Sequence, residues 1–335
     1  MQGGKDMKEK REYAFDLLRV ISMFMVIVVH VSNVYSRSYG IISNQNFLFS
    51  LIYNTISRIS VPIFLMISGA LLLDRKFDKT KYRKRIMKFL ILIIIWDIIY
   101  LVWEYFYLGN TYEPLYRLLI EPYRAHLWFL YTIIILYLLQ PLMKIIMDKS
   151  NKVVKILLLI IWFTCGAISM MNPRIGEYFT FVSYAGFFIV GKYLYDYVKK
   201  YVTPKHNLVE IIVIVVCIIL SIILNYKASL KYDMFYNFFF AYRTPMITFA
   251  SFAFYAFIIT NYQKESIGKV LSTLSEVSLG VYLIHGIFLD IVVRTIPHYS
   301  LNPLFAIPVF SILIFIASVG SVYLLRKIKI LQKIF

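Results

Sequence analysis

The feature that most restricts this chain is a series of ten apolar runs, at 14–36, 46–73, 89–108, 127–147, 153–171, 178–198, 208–226, 236–260, 272–294 and 304–325. Each is about 18 residues or longer, enough to cross the hydrocarbon core of a bilayer as a helix. Inside hydrocarbon a backbone must satisfy its own hydrogen bonds, which leaves helices or a closed barrel. The runs lack the strict alternation of barrel strands, so helices are expected. The expected fold class is therefore all-α: a polytopic integral membrane bundle of about ten transmembrane helices. A hydrophobic fraction of 60% agrees with this reading. The intervening polar stretches, at most about 20 residues, are too short to enclose a core of their own. Residues 1–335 thus read as a single membrane domain, with a polar N-terminal segment at 1–12 and a polar tail at 326–335.

The formal net charge of +18 would suit a nucleic-acid partner if the cations formed one surface. They do not. The segments 1–12, 74–88, 144–155, 192–206, 261–269 and 326–335 carry 26 of the 36 Lys and Arg residues, whereas the alternate loops carry seven. By the positive-inside rule this bias puts both termini in the cytoplasm, and it removes the case for nucleic acid. The stretch from Arg75 to Lys88 is the most basic. It suits contact with anionic lipid headgroups or the docking of a polyanionic cytoplasmic substrate. No cleavable signal peptide is apparent, because the first apolar run has the length of a true span. Cys165 and Cys217 fall within apolar runs, where buried inert thiols are expected instead of a disulfide or metal site.

Against this apolar background the polar exceptions stand out. The first run contains Asp16, Arg19 and His30. Ionisable groups at membrane depth are costly and usually mark a substrate or proton path. Arg19 and His30 are eleven positions apart, three turns plus roughly 20°, so they share a face about 16 Å apart along the axis. Asp16, one turn before Arg19, is placed to orient its guanidinium. The second run contains Arg58 and then Pro62, a residue that removes a backbone hydrogen bond and kinks a helix. His126 stands beside Trp128 at the mouth of the fourth run. In the ninth, Tyr282 and His285 lie one turn apart on a common face. With this topology His30, His126 and His285 all fall in the outer half of the membrane. His206 and His298 lie in loops and receive no role. No phosphate-binding glycine loop, nucleophile elbow or HExxH zinc signature is present.

Four segments together carry a family likeness: Arg11-Glu12-Tyr13-Ala14-Phe15-Asp16-Leu17-Leu18-Arg19 leading to His30; Val61-Pro62-Ile63-Phe64 with Ser68-Gly69; His126-Leu127-Trp128-Phe129-Leu130; and Ser278-Leu279-Gly280-Val281-Tyr282-Leu283-Ile284-His285. In this order the chain resembles the membrane acyltransferase 3 family, and its size resembles the stand-alone O-acetyltransferase branch. The resemblance implies transfer of an acyl group, usually acetyl, from cytoplasmic acyl-CoA to a hydroxyl of an extracytoplasmic carbohydrate, cell-wall or lipid-linked glycan acceptor. Acetyl-CoA is then a donor substrate, and no permanently bound cofactor or metal is implied. The family's arginine–histidine motif maps onto Arg19 and His30. Its second basic motif, a pair of arginines, meets Arg85 and Lys88, with a lysine in the second place. Lysine lacks the bidentate fork of arginine.

On this reading Arg19, Arg85 and Lys88 hold the phosphates of acyl-CoA and Asp16 positions Arg19. His30 serves as a general base towards the acceptor hydroxyl or is itself briefly acylated. His285 and His126 orient the acceptor or polarise the carbonyl, Arg58 stabilises the developing oxyanion or fixes His30 through a network, and Tyr282 is a further substrate or oxyanion contact. The rival class is a transporter or flippase of an anionic solute or lipid-linked sugar, since intramembrane Arg, His and Asp also suit a proton-coupled carrier. A polysaccharide polymerase would typically bring a larger outer loop. The bias towards Ile, Lys and Tyr fits a bacterial cytoplasmic membrane.

Overall fold

The computed structural model describes residues 12–109, 122–171, 173–262, 268–329 and 332. Most of the N-terminal segment, most of the long loop that follows the third run, and part of the tail lie outside the described residues. Among the described residues there are eleven α-helices: α1 Tyr13–Ser36, α2 Asn44–Ser57, α3 Ser60–Asp74, α4 Lys79–Trp103, α5 Trp128–Lys149, α6 Lys152–Met171, α7 Pro173–Tyr201, α8 Asn207–Tyr232, α9 Pro245–Asn261, α10 Gly268–Thr295 and α11 Pro303–Leu325. Eight helical stretches among the described residues are long and apolar enough to cross a membrane. The remaining two runs, 153–171 and 178–198, are helical as α6 and α7. The chain is an all-α polytopic bundle.

The second run is broken where the proline suggested a kink. α2 stops at Ser57 and α3 begins at Ser60, so Arg58 and Ile59 form the joint. Pro62 then falls in the first turn of α3, where its missing N–H has no intrahelical partner to lose. At the other end of this pair, Asp78 caps α4. Its side chain accepts from the Lys81 and Thr80 amides, and these hold its carboxyl below the usual carboxylate range.

Helix α1 is the hub. It packs against α2, α3, α9, α10 and α11. Two apolar clusters meet on it. Ala14, Phe15 and Leu18 join the cluster built by α3, α7 and α9, whereas Met23, Val26, Ile27 and Val31 join one built by α4, α10 and α11. Polar side chains lock α1 to α2, with Ser36 Oγ 2.9 Å from Ser50 Oγ and Asn54 Nδ2 donating to Asn33 Oδ1. Conversely, Leu208, Val209, Ile212, Val215, Val216 and Ile219 of α8 are exposed. An apolar face of that size suits lipid and would be a liability in water. No disulfide links Cys165 and Cys217, and both are part-buried instead of fully buried.

Small residues bring α3 and α7 together. A Cβ on Gly69 would stand 1.6 Å from the Phe188 carbonyl oxygen, and one on Gly191 would stand 2.1 Å from that of Met66. In lipid, such close backbone approach is a main source of helix association. Gly69→Ala therefore forces the two helices apart, with an expected loss of about 1–3 kcal/mol, the usual range for overpacking. Thermal unfolding in detergent reads this as a lowered midpoint; an unchanged midpoint would contradict the contact.

Candidate active site

A cavity with an empty volume of about 970 Å³, part of it unenclosed, runs beside α1. Arg19, Ser68, Tyr137 and Phe89 line it, as do Val26, Val29, Val61, Phe64, Phe129 and Ile133. His30, His126, Trp128, Tyr242 and Tyr282 line it too. The common face expected for Arg19 and His30 is thus a cavity wall. The residues between them on that face are valines, as an apolar helix supplies.

At one end three histidines from three separate elements meet. Ring centroids lie 5.1 Å apart for His30 and His285, 5.0 Å for His126 and His285, and 6.0 Å for His30 and His126. His285 stands behind the other two and does not line the cavity. Its Nδ1 is 2.5 Å from the Tyr282 carbonyl oxygen. A carbonyl only accepts, so Nδ1 carries the hydrogen, and in the neutral ring Nε2 bears the lone pair. The Nε2 atoms of His285 and His126 are buried and have no hydrogen-bond partner among the described residues. Buried orphan nitrogens cost free energy, which makes them candidates for catalytic use. The Tyr282 hydroxyl donates to the His126 carbonyl, fixing the short 3₁₀ turn Ala125–Leu127 against α10. Gly286 leaves room for this packing, since a Cβ there would meet His126 and the Tyr100 hydroxyl, each at 2.8 Å.

At the other end Asp16 is buried. It accepts from Ser275 Oγ at 2.7 Å and from Arg19 Nη1 at 3.3 Å. The ion pair expected from the sequence is therefore tied to α10, and Arg19 keeps side-chain exposure of 31% towards the cavity. Arg85 lies in a separate basin of about 1330 Å³ empty volume, with Arg75, Lys76 and Lys81 as well as Asp74 and Asp78. Its Nη1 donates to Gln140 Oε1 at 3.1 Å, and its guanidinium sits 5.4 Å from the Tyr137 ring centroid. Tyr137 lines the main cavity and Arg85 the basin, so this ring contact links the two. Lys88 is exposed on α4 and lines neither. Arg58 faces a third, smaller cavity beyond Tyr242. Among the described residues no three His, Cys, Asp or Glu side chains are spaced to hold a metal ion.

Sequence reasoning passed over a second polar cluster next to the histidines. Arg124 is held from two sides, by Glu104 Oε1 at 2.7 Å and Asp290 Oδ1 at 2.5 Å, and Trp103 Nε1 donates to Asp290 Oδ2 at 3.1 Å. Arg124 precedes His126 by two residues, so this clamp anchors the turn that presents the imidazole. Glu104 sits where α4 passes into a π-turn, Glu104–Leu108, a local irregularity common at functional sites. Asp97, one level deeper, is buried and accepts from the Tyr131 hydroxyl at 2.5 Å and the Tyr123 amide at 3.1 Å. The signal was the same one that picked out Asp16: an acid inside an apolar run.

Compared with known families, the chain matches the acyltransferase domain family, acyltransferase 3, over residues 12–326. No curated protein and no solved structure matches it.

Breaking the clamp exposes its cost. Arg124→Ala leaves two largely buried carboxylates unpaired, for an expected loss of about 2–4 kcal/mol once partial exposure is discounted. Adding Glu104→Gln and Asp290→Asn removes the orphaned charges and restores part of the loss. Unfolding midpoints of the single and triple variants test this; a triple variant less stable than the single one would argue against it.

Proposed function

The chain belongs to the acyltransferase 3 family and is a membrane acyltransferase; from that premise we propose that it moves an acetyl group from cytoplasmic acyl-CoA to a hydroxyl of an extracytoplasmic carbohydrate, cell-wall or lipid-linked glycan. The observation that carries the reading is the cavity along α1, with a carboxylate-anchored arginine at one end and three clustered imidazoles at the other. The chain acts as a multi-pass protein of a bacterial cytoplasmic membrane, with the basic basin facing the cytoplasm.

The donor's phosphates and the cations at the basin end are complementary, and arginine grips phosphate in a bidentate fashion. Arg85, beside Tyr137, and Arg19, held by Asp16 and Ser275, hold the phosphates. Lys88 adds positive charge at the surface. The pantetheine arm follows the apolar cavity wall and brings the thioester carbonyl to the histidine end.

His30 is the general base. Its neutral ring takes the proton of the acceptor hydroxyl as the oxygen attacks the thioester carbon. The carbon–sulfur bond then breaks and the coenzyme A thiolate leaves, to be protonated from the imidazolium. His126 faces the same space and polarises the carbonyl or orients the acceptor. His285, behind both, positions His30. Tyr282 acts indirectly by fixing the His126 turn, and Arg58 adds positive potential on the acceptor side.

His30→Ala is expected to lower acetyl transfer by about 10²–10⁴-fold, the usual contribution of a general base, with an unaltered unfolding midpoint. Label carried from radiolabelled acetyl-CoA into glycan or lipid fractions measures it, and near-normal incorporation by the variant would remove His30 from the chemistry. Arg19→Ala is expected to raise the apparent KM for acetyl-CoA more than it lowers kcat. Unchanged binding of a coenzyme A analogue to that variant would contradict the phosphate role.

A further inference from the structure

The third cavity has a distinct chemistry. It has an empty volume of about 630 Å³, and Arg58 and Arg243 both line it, with Thr180, Ser183, Tyr184 and Asn237. Arg58 comes from the joint between α2 and α3, and Arg243 from the segment just before α9. Ring contacts link this cavity to the start of α2: Phe240, which lines it, lies 6.1 Å from Phe235, and Phe235 lies 6.2 Å from Phe47. That end of α2 is the outer one in the orientation proposed above.

Among the described residues the two guanidinium groups are held without neutralisation. Arg58 Nε donates to Asn54 Oδ1 at 2.8 Å, and its guanidinium carbon lies 4.5 Å from the Phe240 centroid and 5.5 Å from that of Tyr242. Arg243 Nη1 reaches Thr180 Oγ1 at 3.3 Å and its guanidinium lies 5.9 Å from the Phe238 centroid, while its Nε is buried with no partner. Among the described residues neither has a carboxylate in ion-pair range. Arg19 and Arg124 show the contrast, since each is tied to acids. Two uncompensated cations facing one cavity repel each other unless an anion lies between them.

The wall towards the histidine cavity is aromatic. Trp128 stacks on Tyr184 at 5.1 Å and lies 5.9 Å from Tyr242, and Tyr242 lines both spaces. Apolar ring faces beside hydroxyls and amides suit the flat faces of a sugar, and paired arginines suit an oxyanion. We propose that this cavity binds an anionic group, carboxylate or phosphate, borne by the sugar that accepts the acyl group. The site selects acidic sugars or sugar phosphates over neutral ones. Only the word acceptor rests on the acyl-transfer reading; the anion site stands on the cavity itself.

The test separates binding from chemistry by using full-length His30→Ala in detergent at fixed ionic strength. Glucose 1-phosphate, glucuronic acid and glucose are each titrated while the unfolding midpoint is followed. At least one anionic sugar is expected to raise the midpoint and glucose to leave it unmoved; which one does so identifies the oxyanion. Arg243→Gln, introduced into the same protein, is expected to weaken that binding about 10- to 100-fold, the loss of a charge-assisted hydrogen bond. Equal shifts from glucose, or from inorganic phosphate with no sugar preference, would overturn the site as a selector of acidic sugars. So would Arg243→Gln binding as tightly as its parent. Should Arg243→Gln fail to fold, the comparison of charged with neutral sugar still decides. If anionic sugars bind but wild-type protein transfers no label to any acceptor, the acyl-transfer reading fails and the anion site remains.

Discussion

A charge in hydrocarbon is tolerated only where protein surrounds it, and α1 carries Asp16, Arg19 and His30 at separate depths. That constraint puts α1 at the centre of the bundle. α10 comes alongside it, supplying Ser275 to the acid near one end and His285 to the imidazole near the other. α3 supplies Val61, Phe64 and Ser68 to the same cavity. Both apolar clusters then form on either flank of α1. The polar residues cost the membrane domain free energy, and the packing around them is what makes that cost bearable.

The fold class was legible because run length, charge bias and the absence of alternation all point one way. The histidine cluster was partly legible. Depth along each helix brought His30, His126 and His285 to a similar level, but depth carries no azimuth, so their meeting at 5–6 Å had to be seen. The break at Arg58 was foreshadowed by Pro62, whereas the cavity that Arg58 faces was not, since Arg243 approaches it from a segment far along the chain. The Arg124 clamp was missed for a different reason. Glu104 and Asp290 each lie inside an apolar run but close to its outer end, where an acid looks like ordinary interfacial polarity until a partner is found.

The polar network divides into two kinds of cation. Arg19 and Arg124 are held by carboxylates and so act as fixed parts of the frame with a residual field. Arg58, Arg85 and Arg243 are held by neutral groups and aromatic faces, which orient a guanidinium without spending its charge. The second kind retains the ability to draw anions. These three sit by the cavities on either side of the histidine space, one on the basin side and two beyond Tyr242.

The lining of that central space has one more consequence. Water is smaller and far more abundant than any sugar, and a base that can activate a sugar hydroxyl can activate water equally well. Val26, Val29, Val61, Phe64, Phe129 and Ile133 offer a water molecule no hydrogen bonds, and a buried water needs two to four to settle. On the proposed reading, in which a thioester lies along this wall, its apolar side chains work against futile hydrolysis. The economy of the reaction then depends on side chains that never touch a proton.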